Sequence, residues 1–376
     1  VVPKFSAKLR PFEGLEIEGN YTYDYRSHNI QHLLQDMDLW NFYPEEPVRT
    51  LKTVNVYLRK WFYEYKYQTA DLVARYNKDF GKLKLGALVG TSGEYYWTDY
   101  SYALKFNDES LAPGEHNDYR QSVWSTMNTS RAVAQYLQGY DSEWAMRSYF
   151  GRINLNWDDK YLFEANFRAD GSSKFSPENR WGYFPSFSAG WVISEEPFFN
   201  KQGLFNFLKL RGSWGALGNN AIGNYDWQTL FGSYNYVLNN GTTVQGMSQN
   251  SIANRNITWE KTTVTNIGVD FTMLGSRLSG TAEVYDKLTD GILLSLPASL
   301  TNGTVGIPRQ NAAVVDNKGV ELQLRWNDKI GSDFNYYVSA NAAYNKNKVV
   351  DFATPSVGTY NIEEGQPLYY LNIYEA

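Results

Sequence analysis

The stretch "YFGRINLNWDDKYLFEANFRAD", Tyr149–Asp170, holds two alternating runs joined by a very short link. In the first, Tyr149, Gly151, Ile153, Leu155 and Trp157 fall on one side. Phe150, Arg152, Asn154 and Asn156 fall on the other. In the second, Tyr161, Phe163, Ala165, Phe167 and Ala169 alternate with Leu162, Glu164, Asn166, Arg168 and Asp170. A period of two marks a strand with one apolar face. The link "DDK" predicts a tight hairpin.

The same unit recurs outward from this pair. "LEIEGNYTYDYR" sets Leu15, Ile17, Gly19, Tyr21, Tyr23 and Tyr25 against Glu16, Glu18, Asn20, Thr22, Asp24 and Arg26. "VELQLRW" sets Val320, Leu322, Leu324 and Trp326 against Glu321, Gln323 and Arg325. "FNYYVSANAAY" follows the pattern over 334–344. Alternation predicts strands near 3–11, 15–26, 56–77, 82–92, 146–157, 160–170, 184–194, 207–216, 261–273, 277–287, 318–327 and 332–344.

The connections sort by length. Those at 12–14, 78–81, 158–159, 195–206, 274–276 and 328–331 are the shorter set. Those at 27–55, 93–145, 171–183, 217–260, 288–317 and from 345 onward are long. Short turns on one side and long loops on the other, with strands near ten residues, are the pattern of an outer-membrane barrel. In lipid every backbone polar group must be paired, so such a sheet has to close. The expected fold is all-β: a transmembrane antiparallel barrel, of which this chain supplies about twelve strands of wall. A two-sheet sandwich packed by the same aromatics is the alternative.

Composition fits that reading. The chain has 376 residues, no cysteine and only three histidines, His28, His32 and His116. Thiolate chemistry and cysteine metal sites are thereby excluded. His28 and His32 could present two metal ligands on a helix, but no HExxH pattern surrounds them, and an ordinary polar segment is expected. A net charge of −5 argues against a nucleic-acid partner. No apolar run approaches the length of a membrane helix. No linker divides the sequence, so 1–376 is expected to form one barrel segment. It opens as if within a strand and stops at "PLYYLNIYEA" without a closing motif, which suggests a piece of a longer polypeptide.

Aromatics make up 16% of the chain, with 30 tyrosines. In "DGSSKFSPENRWGYFPSFSAGWVISEEPFF" (170–199), Trp181, Tyr183 and Phe184 are expected in the girdle where the chain re-enters the membrane. Phe187, Ala189, Trp191 and Ile193 would then face lipid, with Ser186, Ser188 and Gly190 keeping the lumen side small.

Candidate chemistry is sparse. Neighbouring carboxylates at Glu195–Glu196 and Asp158–Asp159 cannot flank one glycosidic bond as acid and nucleophile. "GALGNNAIG" (215–223) lacks the GK[ST] ending of a phosphate loop and is expected to be a flexible loop tip. No catalytic, cofactor or metal residue is assigned. "SGEYYWTDYSY" (92–102) is the better candidate, as the opening of the longest internal loop. Tyr95, Tyr96, Trp97 and Tyr100 could stack on sugars or grip peptides, as could Trp227. Arg152, Glu164, Arg168, Arg211, Glu283, Glu321 and Arg325 are too costly for lipid and are expected to face the lumen or a plug.

"FRADGSSKFSPENRWGYFPSFSAGWVISEEPFF" (167–199) resembles the SusC/RagA-type TonB-dependent outer-membrane transporters of Bacteroidetes. "LKLRGSWGALGNNAIGNYDW" (208–227), "ITWEKTTVTNIGVDF" (257–271), "EVYDKLTDGILL" (283–294) and "PRQNAAVVDNKGVELQLRW" (308–326) continue the resemblance in order. It implies a 22-stranded barrel, an upstream plug and TonB box, coupling to the TonB complex, and a SusD-like lipoprotein over the outer face. It also implies outer-membrane lipid around the wall and import of a large nutrient without chemistry on it. An oligosaccharide is the expected cargo and an oligopeptide, as in RagA-type importers, the alternative. A passive porin or a β-rich adhesin is the further alternative.

Overall fold

The structure, a computed structural model, describes residues 2–34, 37–42, 45–51, 57–107, 132–239, 241–249, 251–296, 308–353, 360–368 and 370–371. Twelve strands form one sheet whose order follows the chain. They are β1 (Lys4–Phe12), β2 (Leu15–Leu34), β3 (Tyr57–Phe80), β4 (Leu83–Asn107), β5 (Ala132–Trp157) and β6 (Tyr161–Ser172). β7 (Trp181–Val192), β8 (Phe205–Asn219), β9 (Glu260–Met273), β10 (Leu278–Asp290), β11 (Ala313–Ile330) and β12 (Phe334–Phe352) complete it. Each strand pair whose register is described is antiparallel. This is the sequential up-and-down wall of a barrel. No helix among the described residues is long and apolar enough to cross a membrane.

Every expected strand has its counterpart, but several run further. β4 extends to Asn107 and β5 begins at Ala132, so "SGEYYWTDYSY" lies within a strand instead of opening a loop. β-Forming tyrosines and tryptophans carry no turn signal and let the ladder continue. Of "MNTSRAVAQYL", residues 132–137 are strand and 127–131 lie outside the described residues. Ile193 enters a 3₁₀ turn, Ile193–Glu195, and does not extend the lipid face.

Contacts divide the chain into two compact units. The first comprises Val1–Phe5, Tyr21–Thr69 and Glu94–Trp144, and the second Ser6–Asn20, Ala70–Gly93 and Ala145–Ala376.

In the second unit, register sorts side chains into two faces. Across β8 to β12, Leu210, Val269, Ala282, Leu322 and Ala342 form one row. The adjacent row on the opposite face is Arg211, Gly268, Glu283, Glu321 and Ala343. Phe163, Phe167, Trp191, Val269, Phe271, Leu322 and Leu324 all take the apolar face, and Glu164, Arg168, Asp270, Glu321 and Arg325 the polar one. Aromatics bracket the apolar face. Trp157 and Tyr161 pair at the short-turn end, while Tyr149 stacks on Trp181 at 5.9 Å at the other. The eight steps from Trp157 to Tyr149 span about 26 Å of strand at ~3.3 Å each, or roughly 20 Å along the membrane normal at a tilt of about 40°, which is most of an apolar band of about 25 Å.

The link between β5 and β6 is a tight turn with φ 56° at both Asp158 and Asp159. Positive φ at two central residues matches the right-handed twist of the strands it joins. Lys82 pairs with Asp158 at 3.1 Å and Lys84 with Asp159 at 2.8 Å. At the long-loop end, Phe175, Ile222, Ile257 and Leu293 form a small buried core with Trp227 and Trp259 against it. Three connections, β6–β7, β8–β9 and β10–β11, thus share one packing centre, which makes the long-loop rim a built layer.

Candidate ligand-binding face

The first unit gathers a network of aromatics on one face. The run "WFYEYKY" alternates, so Trp61, Tyr63, Tyr65 and Tyr67 share a side of β3. β4 adds Tyr96, Tyr100 and Tyr102, and β5 adds Tyr140 and Trp144. Tyr96 stacks on Trp144 at 5.8 Å and lies 6.2 Å from Tyr65 and 6.4 Å from Tyr67. Tyr100 lies 6.3 Å from Tyr63 and 5.2 Å from Tyr140. Trp61 lies 6.0 Å from Tyr102 and 6.4 Å from His32. These are the separations at which aromatic pairs attract.

Charge is threaded through this face. The Arg59 guanidinium sits 5.1 Å from the Trp61 ring and 5.7 Å from Tyr102. Arg26 sits 5.1 Å from Tyr65. Tyr67 donates its hydroxyl proton to Glu94 at 2.7 Å. The surface therefore offers apolar ring faces together with hydroxyl, guanidinium and carboxylate groups, which suits an oligomer with both apolar and polar sides.

The candidates read from the sequence divide between the two faces. Tyr96 and Tyr100 belong to the aromatic network. Tyr95 and Trp97 point the other way, where Tyr95 donates to Glu143 at 2.5 Å and Lys66 lies 4.2 Å from the Trp97 ring. Adjacent residues of a strand cannot share a face. Trp61, Tyr63, Tyr65, Tyr67 and Trp144 were missed, although the alternation of "WFYEYKY" carries the signal. His28 and His32 sit on β2 and not on a helix. Among the described residues no metal-ligating group of three or more forms. His116 lies outside the described residues.

In the second unit the polar candidates are largely paired within the wall. Arg152 donates to Asn166 at 2.6 Å and lies 4.0 Å from Glu164. Arg168 donates to Asp170 at 2.8 Å and to Ser148 at 2.9 Å. Arg211 bridges Asp270, at 3.2 Å, and Glu283. Asn266 and Thr281 complete that network by donating to Glu283 and Asp270. Arg325 lies over the Tyr337 ring at 4.4 Å. Glu321 is exposed on the same face, directly opposite Glu283. Small residues line the concavities between these groups. One of about 640 Å³ is bordered by Glu164, Ser188, Gly190, Lys209, Arg211 and Ser213.

Two aromatic assignments change. Phe184 does not join Trp181 and Tyr183 in the girdle. It takes the opposite face, is buried, and meets Trp259 at 5.5 Å. A side chain at Gly182 or Gly218 would run into its ring, which explains two of the glycines. Trp227 packs against the buried loop core and is not held out in solvent. "GALGNNAIG" is likewise no loose tip, since Gly215 and Gly218 lie in β8 and Ile222 is buried in that core.

The neighbouring carboxylates have structural partners. Glu195 pairs with Lys201 at 2.8 Å, and Glu196 accepts from Tyr161 at 2.6 Å and Trp191 at 3.0 Å. Those two bonds, Tyr161 first, hold the Glu196 carboxyl below the usual range. Lys82 and then Lys160 lower Asp158, while Lys84 and then Asn156 lower Asp159.

A sequential antiparallel wall with one apolar and one polar face and a packed long-loop rim defines the class as an outer-membrane β-barrel. Residues 5–372 match the family profile described as "TonB dependent receptor-like, beta-barrel". The chain belongs to the TonB-dependent receptors of the SusC/RagA family, proteins of the bacterial outer membrane. It is 31% identical over 377 residues to TonB-dependent receptor P39 of Formosa agariphila, covering 96% of this chain and 33% of the relative. It is 28% identical over 366 residues to TonB-dependent receptor SusC of Bacteroides thetaiotaomicron, covering 93% of this chain and 34% of the relative. The RagAB peptide transporter superimposes with a TM-score of 0.80 at 23% identity, over 97% of this chain and 39% of its own. The chain thus spans about a third of the length of these relatives.

Proposed function

We propose that this chain is the wall and loop segment of a receptor that imports an oligomeric nutrient across the outer membrane, driven by TonB. The reading is carried by the family match, which runs through nearly the whole chain. An oligopeptide comes ahead of an oligosaccharide, reversing the expectation from sequence. What supports that order is the overlay on a transporter described as a peptide importer, in both its closed and open states. The mixed aromatic and charged face around Tyr96 suits a peptide. The same rings suit sugar faces, which keeps the oligosaccharide as the second reading.

In this proposal the polar inner face, with Arg152, Glu164, Arg168, Arg211, Glu321 and Arg325, borders a plug domain. A SusD-like lipoprotein covers the long-loop rim, and the TonB complex engages a TonB box elsewhere in the full-length receptor. The test is growth of a gene-deletion strain on panels of defined peptides and glycans, complemented by full-length receptor with and without its TonB box. Loss of growth on peptides, restored only with the TonB box, is expected. Loss on a glycan alone would favour the second reading. Uptake that persists without the TonB box would overturn the energised mechanism.

A further inference from the structure

The connection between β8 and β9 carries a hairpin of its own. Its strands, Phe231–Val237 and Thr243–Gln249, pair antiparallel and form a separate two-stranded sheet. At its tip the Leu238 N–H donates to the Thr242 carbonyl at 2.8 Å. The Gly241 N–H donates to the Leu238 carbonyl at 2.8 Å, with φ 80° at Gly241. This turn with a left-handed glycine fixes the phase of the ladder. Leu238 and Thr242 are a hydrogen-bonded pair, so Tyr236–Val244 and Tyr234–Gly246 are the next such pairs. Phe231, Ser233, Asn235 and Val237 therefore turn their N–H and C=O groups away from the second strand, and all four residues are exposed.

Composition marks this edge more than exposure does. Natural sheets guard an open edge with charge, proline, a bulge or a covering element. Between Asp226 and Arg255 there is no charged residue and no proline, in a chain of which 20% is charged. The pairing runs through without a bulge. Among the described residues no third strand joins either side. The first strand is the better template of the two. It offers Phe231 and Val237 on one face and Tyr234 and Tyr236 on the other, where the second strand has Gly246 and Ser248.

We infer that the outer edge of Phe231–Val237 captures extended oligopeptide cargo by adding it as a third, backbone-paired strand. The inference rests on the oligopeptide reading above and gives it a mode of recognition. Donors and acceptors along the edge recur at every second residue, about 7 Å apart. A polypeptide backbone matches that spacing and a glycan does not. The steps from Phe231 to Val237 cover about 20 Å and take a peptide of about seven residues. With no charge along the edge, acidic and basic peptides meet no like-charge rejection, which suits uptake of mixed sequences.

The experiment uses the full-length receptor in detergent and a fluorescent neutral peptide of about seven residues, with binding read by anisotropy. N-methylation of alternate amides blocks one edge of the peptide and leaves the other, so affinity should hold within about threefold. N-methylation of consecutive amides blocks both edges and should weaken binding at least about tenfold, as loss of two or more backbone hydrogen bonds implies. In the receptor, N235P removes an outward N–H without touching the ladder, a place where an edge strand tolerates proline. It should weaken binding about three- to tenfold, while Q245P, on the opposite edge, should leave it unchanged. Should N235P lose heat-modifiable migration, the methylated peptides on wild type decide alone. Equal binding of both methylated peptides would overturn the inference and leave the oligopeptide reading intact. Binding of a labelled oligosaccharide and of no peptide would sink both. Self-association of wild type that N235P abolishes, with peptide binding unchanged, would give the edge to a second copy and overturn the inference as well.

Discussion

Trp259 donates its indole N–H to the backbone carbonyl of Arg180 at 3.0 Å, tying the residue before β9 to the residue before β7. The same ring lies 5.1 Å from Phe175 and 5.5 Å from Phe184. Trp259 therefore joins the rim core to the polar face of the wall. Trp259→Phe keeps most of the packing and loses the hydrogen bond, so a cost of about 1 kcal/mol is expected. Trp259→Ala should cost about 3 kcal/mol or more. Equilibrium unfolding in detergent micelles measures both, and equal losses would show that the hydrogen bond carries the whole effect.

Leu274 holds φ 57° in the turn between β9 and β10, beside Gly275 and Ser276, both at φ 66°. A leucine there sits in the left-handed region at a cost of about 1 kcal/mol. Its backbone N–H still bonds to Leu204 at 3.2 Å, and glycine would preserve that bond. Leu274→Gly is expected to raise stability by about 0.5 kcal/mol, since glycine's greater unfolded freedom offsets part of the relief. Leu274→Val should lower it. A thermal shift that ranks valine above glycine would contradict this account of the turn.

Arg211 holds two carboxylates, Asp270 and Glu283, on the polar face. Arg211→Met leaves both without their cation in a partly shielded site, with an expected loss of about 1–3 kcal/mol. Adding Glu283→Gln should recover part of the loss, because the stranded charge causes most of it. Additive losses in the double variant would show that Arg211 acts through packing instead.

The turn-side carboxylates give the wall an acid limit. Asp158 and Asp159 are held below the ordinary 3.8, and Glu196 below 4.5. Folded values under unfolded ones mean that the stabilisation is present above those values. It is lost as pH falls through the lowered range. The unfolding midpoint should be level from about pH 7 to 5 and decline below about pH 4. The D158N/D159N/E196Q variant should show a shallower acid decline, and an unaltered one would place the acid sensitivity elsewhere.

Much of the wall was legible in the sequence because a strand writes its facing at period two. Trp157-Asp158-Asp159-Lys160 marked its own turn, and Phe163 against Glu164 marked its own faces. Strand ends were harder to read. Nothing in "EYYWTDYSY" says stop, so the ladder continues where a loop was expected. Trp227 and Phe184 were misplaced for a different reason. Their surroundings come from residues tens of positions away, in connections with no periodicity. The aromatic face of the first unit was half visible: Tyr96 and Tyr100 were found, but reading a cluster by proximity in sequence admitted Tyr95 and Trp97, which alternation turns away.

That alternation supplies the sharpest functional prediction. If the face around Tyr96 guides cargo, removing a ring from it should matter and removing its sequence neighbour should not. Tyr96→Ala and Trp144→Ala each delete one member of the 5.8 Å stack. At about 0.5–1.5 kcal/mol per aromatic contact, each should weaken cargo capture by roughly two- to twelvefold. Trp97→Ala removes a ring of similar size that meets Lys66 on the other face, and uptake should stay within about twofold of wild type. The measurement is initial-rate uptake of a fluorescent oligopeptide by cells carrying the full-length receptor. Surface abundance is fixed by labelling, and a labelled oligosaccharide is run in parallel. A larger effect of Trp97→Ala than of Tyr96→Ala would place capture on the opposite face. Equal, small effects of all three would make the aromatic network a packing element of the extended strands.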